Sequence, residues 1–196
     1  MNIIPIYQNG YGKEYWGPRL WYLLHKIAYN YPLKPSDADK SFYLKYFSTI
    51  VRIIPCPYCA NHFFTTIQND RLHQNLENRQ LVIDWFKNAH NKVNISNGKR
   101  TYIGFEIDMI YQNVLIDHDA LNELVLYLFH LTENNTIETS VFIYWILTTY
   151  KIHPCIICRN QTIQYFNLHD ISKYNWNDSD VLKNWINGLI NINRNH

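Results

Sequence analysis

Apolar residues recur at steps of three and four along almost the whole chain, a spacing that lines them up on one face of a helix at a time. Trp16, Leu20, Leu23, Leu24, Ile27 and Tyr31 share one such face. Phe42, Tyr46, Phe47, Ile50 and Ile54 repeat the pattern and run into Pro55-Cys56. A third stripe, Val82, Trp85, Phe86, Ala89 and Val93, ends near Asn97-Gly98, which is a helix stop signal. Further stripes follow at Leu121–Leu128, Phe142–Thr149 and Val181–Leu189. Ser36 or Asp37 is placed to cap the second helix after a Pro-rich loop. Period-two alternation is scarce, and Thr101–Ile107 is the single strand candidate. The pattern predicts an all-α protein.

The chain of 196 residues, 47% hydrophobic and 17% charged, has a globular composition and not a disordered one. Its 16 Tyr, 9 Phe and 6 Trp predict a core or pocket rich in flat rings. A net charge of +2 lacks the concentrated positive charge of a nucleic-acid binder, so no nucleic-acid partner is expected. No run reaches the ~20 apolar residues of a membrane helix. The segment Met1–Gln8 also lacks the basic and apolar regions of a signal peptide. The expectation is a cytosolic chain without a membrane partner.

Four cysteines fall in two pairs, Cys56/Cys59 and Cys155/Cys158. A secreted disulfide scaffold carries more, spread more widely. Two C-x-x-C pairs in a cytosolic chain point to metal or redox chemistry. Cys56-Pro57-Tyr58-Cys59 follows one helix and opens another, where a helix N-terminus stabilises a thiolate. Three readings of the pairs stand: zinc ligation, a structural disulfide or inert thiols, and a redox-active disulfide. The 95 residues between Cys59 and Cys155 exceed zinc-ribbon spacing. Cys-Pro-Tyr-Cys also occurs in glutaredoxins, but there it follows a β-strand and precedes a further proline. Here the preceding segment is helical in period, and no proline lies between Pro57 and Pro154.

The chain repeats itself. Ile54-Pro55-Cys56-Pro57-Tyr58-Cys59-Ala60-Asn61 aligns with His153-Pro154-Cys155-Ile156-Ile157-Cys158-Arg159-Asn160 at an offset of 99, and Trp85 aligns with Trp185 at 100. Tyr22-Leu23-Leu24-His25 resembles Tyr127-Leu128-Phe129-His130 at 105. Three landmarks in the same order suggest two helical units, with a seam near Gly104–Ile107. The copies differ: Leu126 stands where the first has Trp21, Ile190 where it has His90, and Arg194 where it has Asn94.

In the first unit Trp21 and His25 lie four apart on one helix face, and His90 and Asn94 lie four apart on another. Such residues are packed core or a ligand cradle, and Lys99 beyond Gly98 is either a helix-end charge or a phosphate partner. His62, His73, His118 and His153 form no pattern and read as surface or packing residues.

Taken together, W-G-x-x-x-W-x-x-x-H, a C-x-x-C after a helix, H-N-x-V-N and G-K resemble the Erv/ALR family of FAD-dependent sulfhydryl oxidases, over residues 14 to 111. The resemblance implies an FAD-binding four-helix bundle over residues 1–105, with cofactor contacts reaching 111, followed by a degenerate helical unit over 106–196. It implies Cys59 as the cysteine next to the flavin and Cys56 as the sulfur that substrate thiolates attack. It also implies that Gly17, Trp21 and His25 line the flavin, that His90, Asn91, Val93 and Asn94 hold the adenine and ribose, that Lys99 meets the phosphates, and that Tyr111 lies near the cofactor. Cys155/Cys158 is then a shuttle or structural disulfide, and no metal is expected. The implied activity forms protein disulfides, with oxygen as acceptor and hydrogen peroxide as product. Implied partners are thiol-containing proteins or a thioredoxin-like relay protein, in a homodimer or an intramolecular pseudo-dimer. Cytosolic members are typical of large DNA viruses, which implies work on virion proteins in host cytoplasm. The competing expectation is a non-enzymatic helical scaffold whose C-x-x-C pairs bind zinc or stabilise it.

Overall fold

A computed structural model describes residues 12–112 and 118–193. Among these, every regular element is helical. The chain divides into two compact units: residues 17–112 belong to one, and residues 118–193, with the first helix up to Trp16, belong to the other.

In the first unit the part of α1 (Lys13–Tyr29) from Gly17 onward is followed by α2 (Asp37–Ile53), α3 (Pro57–Asn69), α4 (Arg79–Ser96) and α5 (Gly104–Tyr111), with a short 3-10 turn at Leu72–Asn75. Ser36 caps α2, its side chain accepting from the Asp39 backbone N–H while the Asp39 carboxylate accepts from that of Ser36. Cys56 is the N-cap of α3, and Pro57 at its first position fixes a helical φ where no N–H is needed. Asn78 caps α4, which stops where Gly98 takes φ +64° and the Lys99 N–H closes onto the Asn94 carbonyl at 2.8 Å. The core comprises the fully buried Leu24, Ile27, Tyr31, Tyr46, Phe47, Ile50 and Phe86. Tyr31 sends its hydroxyl to the Leu76 carbonyl at 2.8 Å, so its ring is buried without an unmet donor.

Residues 101–103 have no regular structure, with Ile103 extended as the N-cap, and residues 104–107 of the strand expected over Thr101–Ile107 are instead the start of α5. The Glu106 carboxylate accepts from the Ile103 backbone N–H at 2.9 Å, which starts a helix where alternation alone read as a strand. The seam expected at 105/106 therefore falls inside a continuous helix, and the two units meet in sequence between 112 and 118.

The second unit has α6 (His118–Glu133), α7 (Thr139–Lys151), α8 (Ile156–Leu168), a 3-10 turn at Ile171–Lys173 and α9 (Ser179–Asn193). This is the order of α1 to α4. In both units the first cysteine of the pair is a helix N-cap whose sulfur accepts from the second cysteine's backbone N–H at 3.2 Å. In both, a tryptophan indole N–H donates to the C-cap carbonyl of that same helix, Trp85 to Asp70 at 3.2 Å and Trp185 to His169 at 3.0 Å. The repeat is thus carried by matching hydrogen bonds as well as by sequence.

Candidate active site

Cys56 and Cys59 are joined as a disulfide at the N-terminus of α3, both half-buried. The helix dipole favours negative charge there, so a sulfur released from this bond leaves readily as a thiolate. One turn beyond Cys59, on the same helix face, Phe63 meets the Trp21 ring edge-on at 6.3 Å. The face of α3 that carries Cys59 is therefore the face turned to an aromatic–histidine cluster.

That cluster draws on three helices. Trp21 and His90 stack with centroids 4.2 Å apart and planes within 6°. His25 stacks on Tyr111 at 4.3 Å, and its Nε2 lies 2.9 Å from His90 Nδ1. A nitrogen pair at that distance shares one proton, with one ring donating and the other accepting. His25 is wholly buried, and its Nδ1 has no hydrogen-bond partner. The amide Nδ2 of buried Asn94 is likewise unpartnered. Two orphaned polar atoms beside stacked rings are what a flat, polar-edged ligand satisfies, since an unmet buried polar group costs about 1–3 kcal/mol.

Electrostatics keep the histidines neutral. Burial first, then His90 and Lys87, holds His25 well below the ordinary imidazole range. Burial, followed by Lys99, pushes His90 down to about 4. Burial, followed by Tyr102, raises the Tyr111 phenol to about 12. A ring that protonates near 6.5 in the unfolded chain but near 4 in the fold takes up protons on unfolding between those values. Its stabilisation is complete above pH 6.5 and falls as pH drops towards 4, by at most about 1.4 kcal/mol per pH unit. The melting temperature of the parent protein should therefore fall more steeply from pH 7 to pH 4 than that of His90→Gln. Equal slopes would exclude this titration.

The other expected site residues are placed as follows. Asn91 holds the loop before α5: its Nδ2 donates to the Tyr102 carbonyl at 2.7 Å, and its Oδ1 accepts from the Tyr102 N–H at 2.9 Å. Both amide ends are therefore engaged with backbone. Val93 is half-buried on α4, and Lys99 is exposed beyond Gly98. A Cβ added at half-buried Gly17 would meet no atom within 4 Å, so that flank of α1 is open.

Sequence reading passed over Phe63 and the ion network under α5. Lys87 Nζ lies 2.7 Å from Asp108, which also accepts from the Tyr29 hydroxyl. Burial alone would raise the Asp108 carboxyl, but those two donors hold it below its usual range. Asp108 also lines, with Tyr29, Asn30, Arg79 and Gln80, a polar cavity of about 530 Å³ that contains none of the expected site residues. In the second unit His130 occupies the position of His25 but is half-buried, beside Asn134 and Glu133. With Leu126 and Ile190 in place of Trp21 and His90, no counterpart of the ring cluster exists there among the described residues.

The first unit is thus a helical domain that presents a disulfide at a helix N-terminus, on the helix whose Phe63 meets the stacked indole and imidazole rings. The Erv1 / Alr family model matches residues 18–112. Mitochondrial FAD-linked sulfhydryl oxidase ERV1 of Saccharomyces cerevisiae is 35% identical over 81 residues, 41% of this chain and 42% of that protein. Probable FAD-linked sulfhydryl oxidase R368 of Acanthamoeba polyphaga mimivirus is 30% identical over 88 residues, 44% of this chain and 62% of that protein. The crystal structure of the yeast Erv1 core superposes with a TM-score of 0.52 at 25% identity, covering 59% of this chain and 96% of that one. The chain thus spans about half the length of these curated relatives. Residues 18–112 are an Erv1/Alr family domain.

Proposed function

We propose that the chain is an FAD-linked thiol oxidase that makes disulfides in protein substrates, with Cys56–Cys59 as the redox pair. The observation that supports it most is the cysteine helix turning its Cys59 face, through Phe63, onto the Trp21–His90 and His25–Tyr111 stacks. The residues fit the cofactor: planar rings for an isoalloxazine and an adenine, orphaned atoms on His25 and Asn94 for their polar edges, and exposed Lys99 for the phosphates. Trp21, His25, His90, Val93, Asn94, Lys99 and Tyr111 are the residues we assign to it, with Gly17 on the open flank of α1. Asn91 is assigned to positioning, since it fixes the Tyr102 backbone.

The chain's own chemistry is thiol–disulfide exchange. A substrate thiolate attacks Cys56 Sγ, forming a mixed disulfide, and the Cys56–Cys59 bond breaks with its electron pair on Cys59. The first backbone N–H groups of α3 meet that charge. A second substrate thiol, deprotonated, attacks the substrate sulfur of the mixed disulfide and expels Cys56 as a thiolate. Two substrate thiols have then become a disulfide, and the pair has gained two electrons. The chemistry FAD supplies when bound is acceptance of those two electrons and their delivery to oxygen, which departs as hydrogen peroxide. Neutral His25 and His90 place no competing positive charge at the ring cluster.

We assign the substrates to thiol proteins or a thioredoxin-like relay. We place the work in virus assembly within host cytoplasm, on the strength of viral relatives such as the mimivirus protein and putative FAD-linked sulfhydryl oxidase 096R of Invertebrate iridescent virus 3. The second unit we read as a degenerate copy that binds no FAD, since Leu126 and Ile190 stand where the first unit has Trp21 and His90. Its own cysteine pair is treated below.

The visible absorbance of the purified protein tests the reading. We expect a flavin spectrum that bleaches with a dithiol under nitrogen and returns in air, and Trp21→Ala should purify with most of that colour lost. A colourless protein carrying stoichiometric metal would overturn the function.

A further inference from the structure

The second unit's disulfide, Cys155–Cys158, lies at the N-terminus of α8, and its two sulfurs are not equivalent. Cys158 is wholly buried, whereas Cys155 is only half-buried. His118 at the start of α6, 40 residues away in sequence, brings Nε2 to 3.8 Å from Cys158 Sγ. His153 is buried beside it: its ring stacks on that of His118 at 5.7 Å and on that of Tyr150 at 5.9 Å. His153 Nδ1 accepts from the Cys155 backbone N–H at 3.1 Å. Burial, and then His118, hold His153 down to about 4, so it is a neutral acceptor that fixes the attacked end of the loop. His118 and His153, read from sequence as surface or packing residues, are thus gathered on one disulfide. A disulfide that only fastens a helix start needs no imidazole at one sulfur.

We propose that Cys155–Cys158 is a second thiol–disulfide exchange centre, in which Cys155 is the sulfur attacked and His118 the catalytic residue that receives Cys158 as the leaving thiolate. Exposure decides which sulfur an incoming group reaches. A substrate thiolate attacks Cys155 Sγ, a substrate–Cys155 bond forms, and the bond to Cys158 breaks with its electron pair on Cys158. The His118 imidazole N–H and the α8 N-terminus meet that charge, where a charge-assisted hydrogen bond in a buried setting is strong. A second deprotonated substrate thiol attacks the substrate sulfur and expels Cys155. The substrate pair is oxidised by two electrons and the cysteine pair is reduced by two, while the two thiol protons pass to the cysteines or to solvent. A disulfide-bearing acceptor reverses these steps and restores the centre. The inference does not rest on the FAD reading of the first unit.

The test uses the full chain carrying Cys56→Ser and Cys59→Ser, so that a single disulfide is read. Its single-turnover reduction by dithiothreitol should slow roughly ten- to a hundredfold in His118→Ala, at unchanged helical circular dichroism. His118→Gln, which keeps a donor, should recover part of the rate, and it carries the comparison alone if the alanine variant does not fold. In the same background, Cys158→Ser should accumulate a mixed disulfide with oxidised glutathione at Cys155, and Cys155→Ser should form almost none at Cys158. Equal trapping at both cysteines, or a reduction rate indifferent to His118, would overturn the proposal. So would stoichiometric zinc held by the reduced protein in a His118-dependent way, since the ligand atoms of His118, Cys155 and Cys158 all lie within 4.8 Å of one another.

Discussion

Cys59→Ser turns over no thiol substrate above the uncatalysed background, a loss of roughly a thousandfold or more, while the protein keeps its helices. The two halves of this expectation have separate physical grounds. Activity is lost because a serine oxygen neither forms the disulfide that accepts electrons nor leaves as a thiolate, so no partial function remains. The fold survives because the disulfide closes a loop with a sequence separation of 3. A loop that short contributes about 2 kcal/mol by chain entropy, well below the 5–15 kcal/mol of a typical domain. Cys56 still caps α3 through the backbone N–H of residue 59, which serine retains. The variant also leaves Cys56 as an unresolved thiol, so it should collect mixed disulfides with substrates, visible as mass additions on the intact protein. Oxygen uptake with a dithiol measures the activity. Uptake near the parent rate would remove Cys56–Cys59 from the reaction and with it the proposed function.

How much of this was legible in the sequence depended on the range of the interaction involved. Local rules placed Ser36 as a cap and Gly98 as a stop, because capping and a positive φ are decided within a few residues. The apolar stripes became α1, α2, α4, α6, α7 and α9, because buried faces of helices keep a fixed period. Helix α5 was hidden for the converse reason. Phe105, Met109 and Ile110 are exposed and Ile107 is its buried residue, so no apolar stripe marked it. At the site, spacing of four singled out Trp21 with His25, but nothing local told that His25 and His90, 65 residues apart, share a proton. The pairing of Asn91 with the Tyr102 backbone is likewise invisible to spacing, since an amide that suits a ligand suits a loop N–H and C=O equally well. His118 was passed over because its partner sulfur lies 40 residues away, and contacts of that range are set by helix packing.

The largest expected effect on stability falls where core and site coincide. Phe86 is fully buried, its ring centroid 4.7 Å from that of Phe47 and 4.9 Å from that of Trp85, and it meets the His25 ring at 6.5 Å. Phe86→Ala removes a side chain that nothing nearby can replace, at a cost of about 3–5 kcal/mol. At ~4–8 °C per kcal/mol for a unit of this size, melting should fall by roughly 15 °C or more. The site should suffer beyond that loss, because the His25 ring meets Phe86 edge-on as well as stacking on Tyr111. A vacancy on the Phe86 side lets the imidazole move away from His90 and admits water, which removes the burial that keeps both rings neutral. Phe142→Ala provides the comparison: Phe142 is equally buried among Phe129 and Trp145 in the second unit. Below both melting transitions, Phe86→Ala should retain less flavin than Phe142→Ala. Equal retention would mean that His25 is held by its own helix and by Tyr111 alone, and that the aromatic core supports the fold without orienting the site.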